Sequence, residues 1–302
     1  MMPGALPLWR LVALIGITLT CFAGNSVLCR LALKQTALDA ASFTSLRVLS
    51  GALMLCLLAA YRHKGTDDAS RPKRGSVPTW FGGNWFSAAA LFVYAATLSF
   101  AYIDIATGAG ALLLFGAVQA TMIVAGWWAG ERLSVRQWTG FVLALAGMVA
   151  LLLPGLTAPP LESALLMLVS GAAWGVYSLR GRFGGDPVQA SAGNFGRAAL
   201  LALALSGLAW SGQRWDGMGA FYALLSGAVT SGLGYAIWYT VLPSLTVTRA
   251  ATLQLSVPVL ASVAGLVFVQ EAITLRLVLT SMAVLGGIAM VVLGRQLRRD
   301  HG

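Results

Sequence analysis

Glu131-Arg132-Leu133-Ser134-Val135-Arg136 and Glu271-Ala272-Ile273-Thr274-Leu275-Arg276 are two copies of one stretch, E-x-(L/I)-(S/T)-x-R, set 140 residues apart. Each copy follows a long apolar run and precedes another. The same offset pairs Ala111 with Ala251, Leu113 with Leu253, Leu145 with Leu285 and Gly147 with Gly287. Nearer the start of each half, Arg30 pairs with Arg180 and Arg47 with Arg197 at an offset of 150. The offset shortens because the segment from Arg62 to Thr79 is longer than its counterpart near Ser211–Gly217. The chain is therefore a duplication, with halves at residues 1–155 and 156–302. The joint, Gly155–Pro160, is short and Pro-rich.

The composition places both halves in a membrane. Of 302 residues, 58% are hydrophobic and 10% charged, and the mean hydropathy is +0.79. A soluble domain carries about 25% charged residues, so this chain has too few to cover a water-facing surface. The net charge of +10 does not indicate nucleic acid, because the basic residues sit at the ends of apolar runs rather than on one polar face. Cys21, Cys29 and Cys56 lie inside apolar runs with no His nearby, which predicts packing residues and no metal site or cofactor.

Spanning a bilayer takes roughly 20 apolar residues per helix. Ten runs qualify, at about 8–29, 41–61, 80–102, 107–129, 137–154, 162–181, 190–210, 218–241, 247–269 and 276–294. The expected fold is an all-α integral membrane protein of ten transmembrane helices, arranged as two five-helix repeats. An odd number of helices per repeat inserts the second copy upside down. Inverted repeats of this kind mark transporters, with the substrate site near the midplane between the repeats. The first run is too long for a cleaved signal peptide and continues through Asn25 to Arg30. With the N-terminus inside, 14 of the 20 basic residues lie on cytoplasmic ends. The other side holds Arg30, Lys34, Arg47, Arg197, Arg214 and Arg276. Both termini are expected in the cytoplasm.

All ten acidic residues fall at helix ends or in loops, as do His63 and His301. That argues against a hydrolase or metalloenzyme within the bilayer, and no catalytic residue is assigned. It also disfavours a buried-carboxylate proton antiporter and cationic drugs. A neutral or zwitterionic small molecule fits better. Asn25, Gln119, Gln254 and Ser256 are polar residues inside runs, and each either lines a water-filled cavity or bonds a neighbouring helix. Pro258 sits within its run, where it frees a carbonyl and permits a kink or hinge; its repeat partner is Val118.

Eight of the ten Trp residues (Trp9, Trp80, Trp85, Trp127, Trp128, Trp138, Trp210 and Trp215) lie near run ends, as in an interfacial aromatic belt. Trp174 lies inside its run with Tyr177 one turn on. Tyr235, Trp238 and Tyr239 share a face, and Tyr94 and Tyr102 lie two turns apart. Such stripes serve packing or form an aromatic cavity lining, to which Tyr94, Trp174 and Trp238 are assigned. The GxxxG pairs Gly126/Gly130 and Gly171/Gly175, and the small pair Ala283/Gly287, predict close helix approach. Ser134 and Thr274 are expected to cap the helices that follow them. Glu131 and Glu271 are expected to pair with Arg136 and Arg276.

Ten helices in two halves, with Gly130-Glu131 and Gln270-Glu271 at a helix end in each, resemble the EamA-type drug/metabolite transporter superfamily. Arg47 and Arg197 match its basic residue early in the second helix of each half. Pro258 matches its proline ahead of the glutamate, and Val118 departs from it. Within the superfamily the chain is similar to bacterial inner-membrane aromatic amino-acid exporters. This resemblance implies export of aromatic and other neutral amino acids and related metabolites by alternating access, in membrane lipid, without cofactor or nucleic-acid partner; it sets no oligomeric state, and a monomer is compatible with it. A nucleotide-sugar or phosphorylated-metabolite carrier of the same superfamily is the alternative. It would want Lys or Arg deep in the cavity, and the arginines read as lying near helix ends. A non-transporting membrane protein is the reading from a different class.

Overall fold

The computed structural model describes residues 7–64, 82–130, 132–155, 157–181, 186–245 and 247–299. Glu131 and the segment 65–81, with Trp80, lie outside the described residues, as does His301. No strand occurs among the described residues. The helices are α1 (Leu8–Gln35), α2 (Ala40–Lys64), α3 (Trp85–Ala101), α4 (Thr107–Trp128), α5 (Val135–Leu152), α6 (Leu161–Arg180), α7 (Pro187–Leu208), α8 (Gly217–Leu225), α9 (Gly234–Val241), α10 (Val247–Gln254), α11 (Ser256–Ala264) and α12 (Leu275–Arg299). Among the described residues, eight helical segments are long and apolar enough to cross a membrane, and α3 adds a shorter apolar helix of 17 residues.

Among the described residues each apolar run carries helix over most of its length, but two runs are interrupted. Between α8 and α9 the backbone is π-helical over Ser226–Leu233, so one rod extends through both helices. The run that follows is divided at Leu255 into α10 and α11 and ends in a π turn, Gly265–Val269. The division lies three residues before Pro258. This is the region where a proline ring crowds the preceding turn and takes away one backbone donor. Gln270 then adopts a left-handed φ of 60°, which turns the chain out of the helix and aims Glu271 back at its neighbours.

Helix ends follow their local chemistry. Ser134 and Gln137 form a reciprocal capping box at the start of α5. Thr274 accepts the Leu277 N–H at the start of α12. Asp186 and Asp216 cap α7 and α8 in the same way. Trp9, Trp85, Trp127, Trp128, Trp210 and Trp215 are exposed at helix ends, where amphipathic rings suit a lipid–water boundary.

α5 packs against α12, α2 against α7, α6 against α3 and α4, and α1 against α8, α9 and α11. Glycines set the closest approaches. A Cβ on Gly171 would strike the Leu114 carbonyl and the Ala117 side chain of α4. One on Gly175 would lie 2.9 Å from Thr121. Ala283 and Gly287 likewise meet Gly147 and Gly140 of α5. Gly130 departs from the expected pattern. Its φ is +89° and nothing lies within 4 Å of its Cβ position, so it is a turn glycine past the end of α4. Replacing Gly171 by Leu is expected to force α6 off α4 and destabilise the protein by about 1–3 kcal/mol or more. Thermal unfolding in detergent measures this, and an unchanged midpoint would show that the helices can part at no cost.

Candidate functional site

A small central cavity lies where α1, α3, α4, α6 and the π segment converge. Asn25, Ser26 and Phe22 come from α1, Tyr94 and Leu98 from α3, Leu114 and Phe115 from α4, and Trp174 from α6. Thr230, Ser231, Tyr235 and Gln254 complete the wall. The cavity volume is about 20 Å³, room for a water and not for an organic molecule.

Asn25 is the polar centre. Its amide donates to the Tyr94 hydroxyl at 3.1 Å and accepts from Ser226 at 2.6 Å. Thr230 approaches the same oxygen at 3.5 Å. Three helical elements are thereby tied through one buried amide, which satisfies the demand that a polar side chain in an apolar bundle find partners. Trp174 is the aromatic hub. Its ring lies 4.9 Å from Tyr94, 5.1 Å from Tyr235 and 5.4 Å from Tyr177. These are within the range of favourable ring pairs.

Of the residues singled out in the sequence, Asn25, Tyr94, Trp174 and Gln254 reach the cavity wall. Tyr177 stacks behind Trp174. The others sit elsewhere. Tyr102 is fully buried at the corner between α3 and α4, where its hydroxyl donates to the Thr107 carbonyl at 3.4 Å. Trp238 packs on Phe22, Val241 and Ala250, and Tyr239 is a half-buried residue against the core. Gln119 is buried away from the wall with its amide nitrogen unpartnered. Ser256 donates to the Leu253 carbonyl. A stripe drawn on one helix names a face but not how that face is rotated against its neighbours, so Trp238 and Tyr102 turn aside while Tyr235 turns in.

The arginines differ most from the sequence reading. Arg47 is buried inside the bundle rather than set at an exposed helix end. It is 2% exposed, it donates to the Tyr94 hydroxyl at 2.9 Å, and its guanidinium sits 5.1 Å over the Tyr94 ring. Seven residues into α2 is about 10 Å of helix, enough to carry Arg47 well inside. Arg30 is buried as well, and it has an acid partner. It pairs with Glu271 at 2.8 Å and donates to the Tyr102 and Ile103 carbonyls at 2.9 and 2.6 Å. The second Glu271 oxygen accepts the Thr107 N–H at the start of α4, at 2.7 Å. The expected pairing of Glu271 with Arg276 is therefore replaced, because the left-handed turn at Gln270 swings the carboxylate toward α1 and α4. Arg276 instead donates to the carbonyls of Leu153 and Pro154, holding the end of α5. This cluster ties the ends of α3 and α4 to α1 about 7 Å along the helix from Asn25.

A solved crystal structure of a protein aligns with this chain at a TM-score of 0.64 and 22% identity, over 94% of this chain and 97% of the other, which shows a shared fold. An uncharacterized protein of Pseudomonas aeruginosa is 54% identical over 296 residues, 96% of this chain and 98% of that relative. The model of the EamA-like transporter family matches residues 161–293. With its apolar helices and this match, the chain is a multi-pass membrane protein, and it belongs to the EamA-like transporter family.

Proposed function

We propose that the protein exports aromatic and other neutral amino acids, with related small metabolites, across a bacterial inner membrane by alternating access through the central cavity. The observation that carries this reading is the ring cluster of Tyr94, Trp174 and Tyr235 around the Asn25 amide. An apolar, flat-sided site with a few fixed polar groups suits an aromatic side chain. At about 20 Å³ the cavity is too small for an organic molecule, so a substrate enters only when the helices around it separate.

The helix contacts support ten spans in two inverted repeats, 1–155 and 156–302. In that arrangement α2, α4 and α5 meet their counterparts α7, α11 and α12. The contact of α3 with α6 is matched by that of α8 and α9 with α1, and α4 with α6 by α11 with α1. With both termini cytoplasmic, the Arg30–Glu271 cluster closes the outer mouth. The break at Leu255, ahead of Pro258, supplies a hinge within the second repeat.

Uptake of radiolabelled Phe, Trp, Thr and a neutral sugar into proteoliposomes, with and without a pH gradient and a membrane potential, tests the reading. Amino-acid flux without any imposed gradient is expected, since the cavity wall carries no acid or His to couple a proton. Absence of amino-acid flux from folded protein overturns it. The second reading, a carrier of phosphorylated metabolites, also draws on the buried Arg47 but would call for a second cation beside it.

A further inference from the structure

The geometry points to Tyr94, on the cavity wall, and Arg47, which lies behind that wall and reaches it through the Tyr94 hydroxyl, as the carboxylate-binding pair of the central site when its helices part, and hence to a substrate with one carboxylate on an aromatic or apolar body. This rests on the transport reading and narrows its substrate class.

Four observations converge on it. Arg47 is 2% exposed, yet no Asp or Glu among the described residues pairs with it; the ion pair between α1 and the chain after α11 is Arg30 with Glu271. Its second terminal nitrogen is buried with no hydrogen-bond partner. The Tyr94 oxygen already accepts from both Arg47 and Asn25, so the phenol proton is directed away from them, and no acceptor for it occurs among the described side chains. Ser231, on the cavity wall, also has a buried hydroxyl without a partner.

A guanidinium removed from water needs a counter-charge, and a bridging water would satisfy its N–H but not its charge. A carboxylate accepting from the free Arg47 nitrogen and the Tyr94 hydroxyl supplies both, in the geometry arginine favours. One guanidinium balances one negative charge. A phosphate monoester, close to doubly charged, would call for a second cation, and Arg30 is already committed to Glu271. The amino group of an amino acid would meet ring faces of Trp174 and Tyr235 rather than an acid, which cations tolerate. Recognition is therefore centred on the carboxylate.

The test uses the full-length protein in lipid nanodiscs and measures binding of L-phenylalanine, phenylacetate, 2-phenylethylamine and phenyl phosphate. Phenylalanine and phenylacetate are expected to bind, with phenylethylamine and phenyl phosphate about 10-fold weaker or more. Arg47→Gln is expected to weaken the two carboxylates by about 10-fold or more and to leave phenylethylamine unchanged. Arg47→Lys, which keeps the charge and guards against misfolding of the Gln variant, recovers part of the loss; Tyr94→Phe gives a smaller loss of the same selectivity. Phenylethylamine or phenyl phosphate binding as tightly as phenylacetate overturns the assignment, as does carboxylate binding that survives Arg47→Gln. Carboxylate binding without amino-acid flux upholds the pair and overturns export. Amino-acid flux undiminished in Arg47→Gln does the reverse.

Discussion

Glu271→Gln is expected to lower the unfolding free energy by about 3–5 kcal/mol, the cost of leaving a buried charge without its partner. Arg30 would keep its two backbone carbonyls but lose its counter-ion. The Thr107 N–H would compete with Arg30 for the single remaining amide oxygen. Because the pair is mostly buried, at 7% and 17% side-chain exposure, the loss is expected to change little between low and high salt. Replacing both partners, Arg30→Met with Glu271→Leu, is expected to recover most of the stability, since neither charge is then stranded. Denaturant or thermal unfolding of the purified protein measures all three variants. A loss below about 1 kcal/mol, or one that disappears in salt, would show a pair solvated like an exposed one.

Trp174→Ala is expected to be the second large effect, about 3–5 kcal/mol. The ring touches Tyr94, Tyr177 and Tyr235 at once, so its removal opens a void at the meeting point of α3, α6 and α9. Under the proposed function the same variant loses substrate flux. Trp174→Phe keeps a flat apolar ring and is expected to cost less than about 1.5 kcal/mol while retaining transport. Comparing unfolding with flux for both variants separates the two roles. Trp174→Phe with native stability and no flux assigns the indole to substrate contact, whereas normal flux in Trp174→Ala removes it from the pathway.

The binding proposal and these stability effects concern neighbouring but distinct groups. Arg30 and Glu271 satisfy each other, which makes them a closure between helices. Arg47 has an aromatic neighbour and, among the described residues, no acid, and the carboxylate-binding proposal rests on that difference. The sequence could not separate these arginines, because each lies near one end of an apolar run between apolar neighbours.

What the sequence determined by itself was the class of molecule and where its helices run. Apolar stretches of about 20 residues can satisfy their backbone in lipid only as helices, and Ser134 and Thr274 mark starts through hydrogen bonds that span three residues. The close approach at Gly171, Gly175 and Gly287 was legible for the same reason, since a missing side chain is a local property. Only the tertiary structure decided which faces meet. Helices that are apolar nearly all round carry no stripe to fix their rotation, so nothing local could tell that Tyr235 turns toward the cavity and Trp238 away. The Arg30–Glu271 pair joins residues 241 apart in the chain, and it forms because the turn at Gln270 and the packing of α1, α3, α4 and α11 bring them within hydrogen-bond reach.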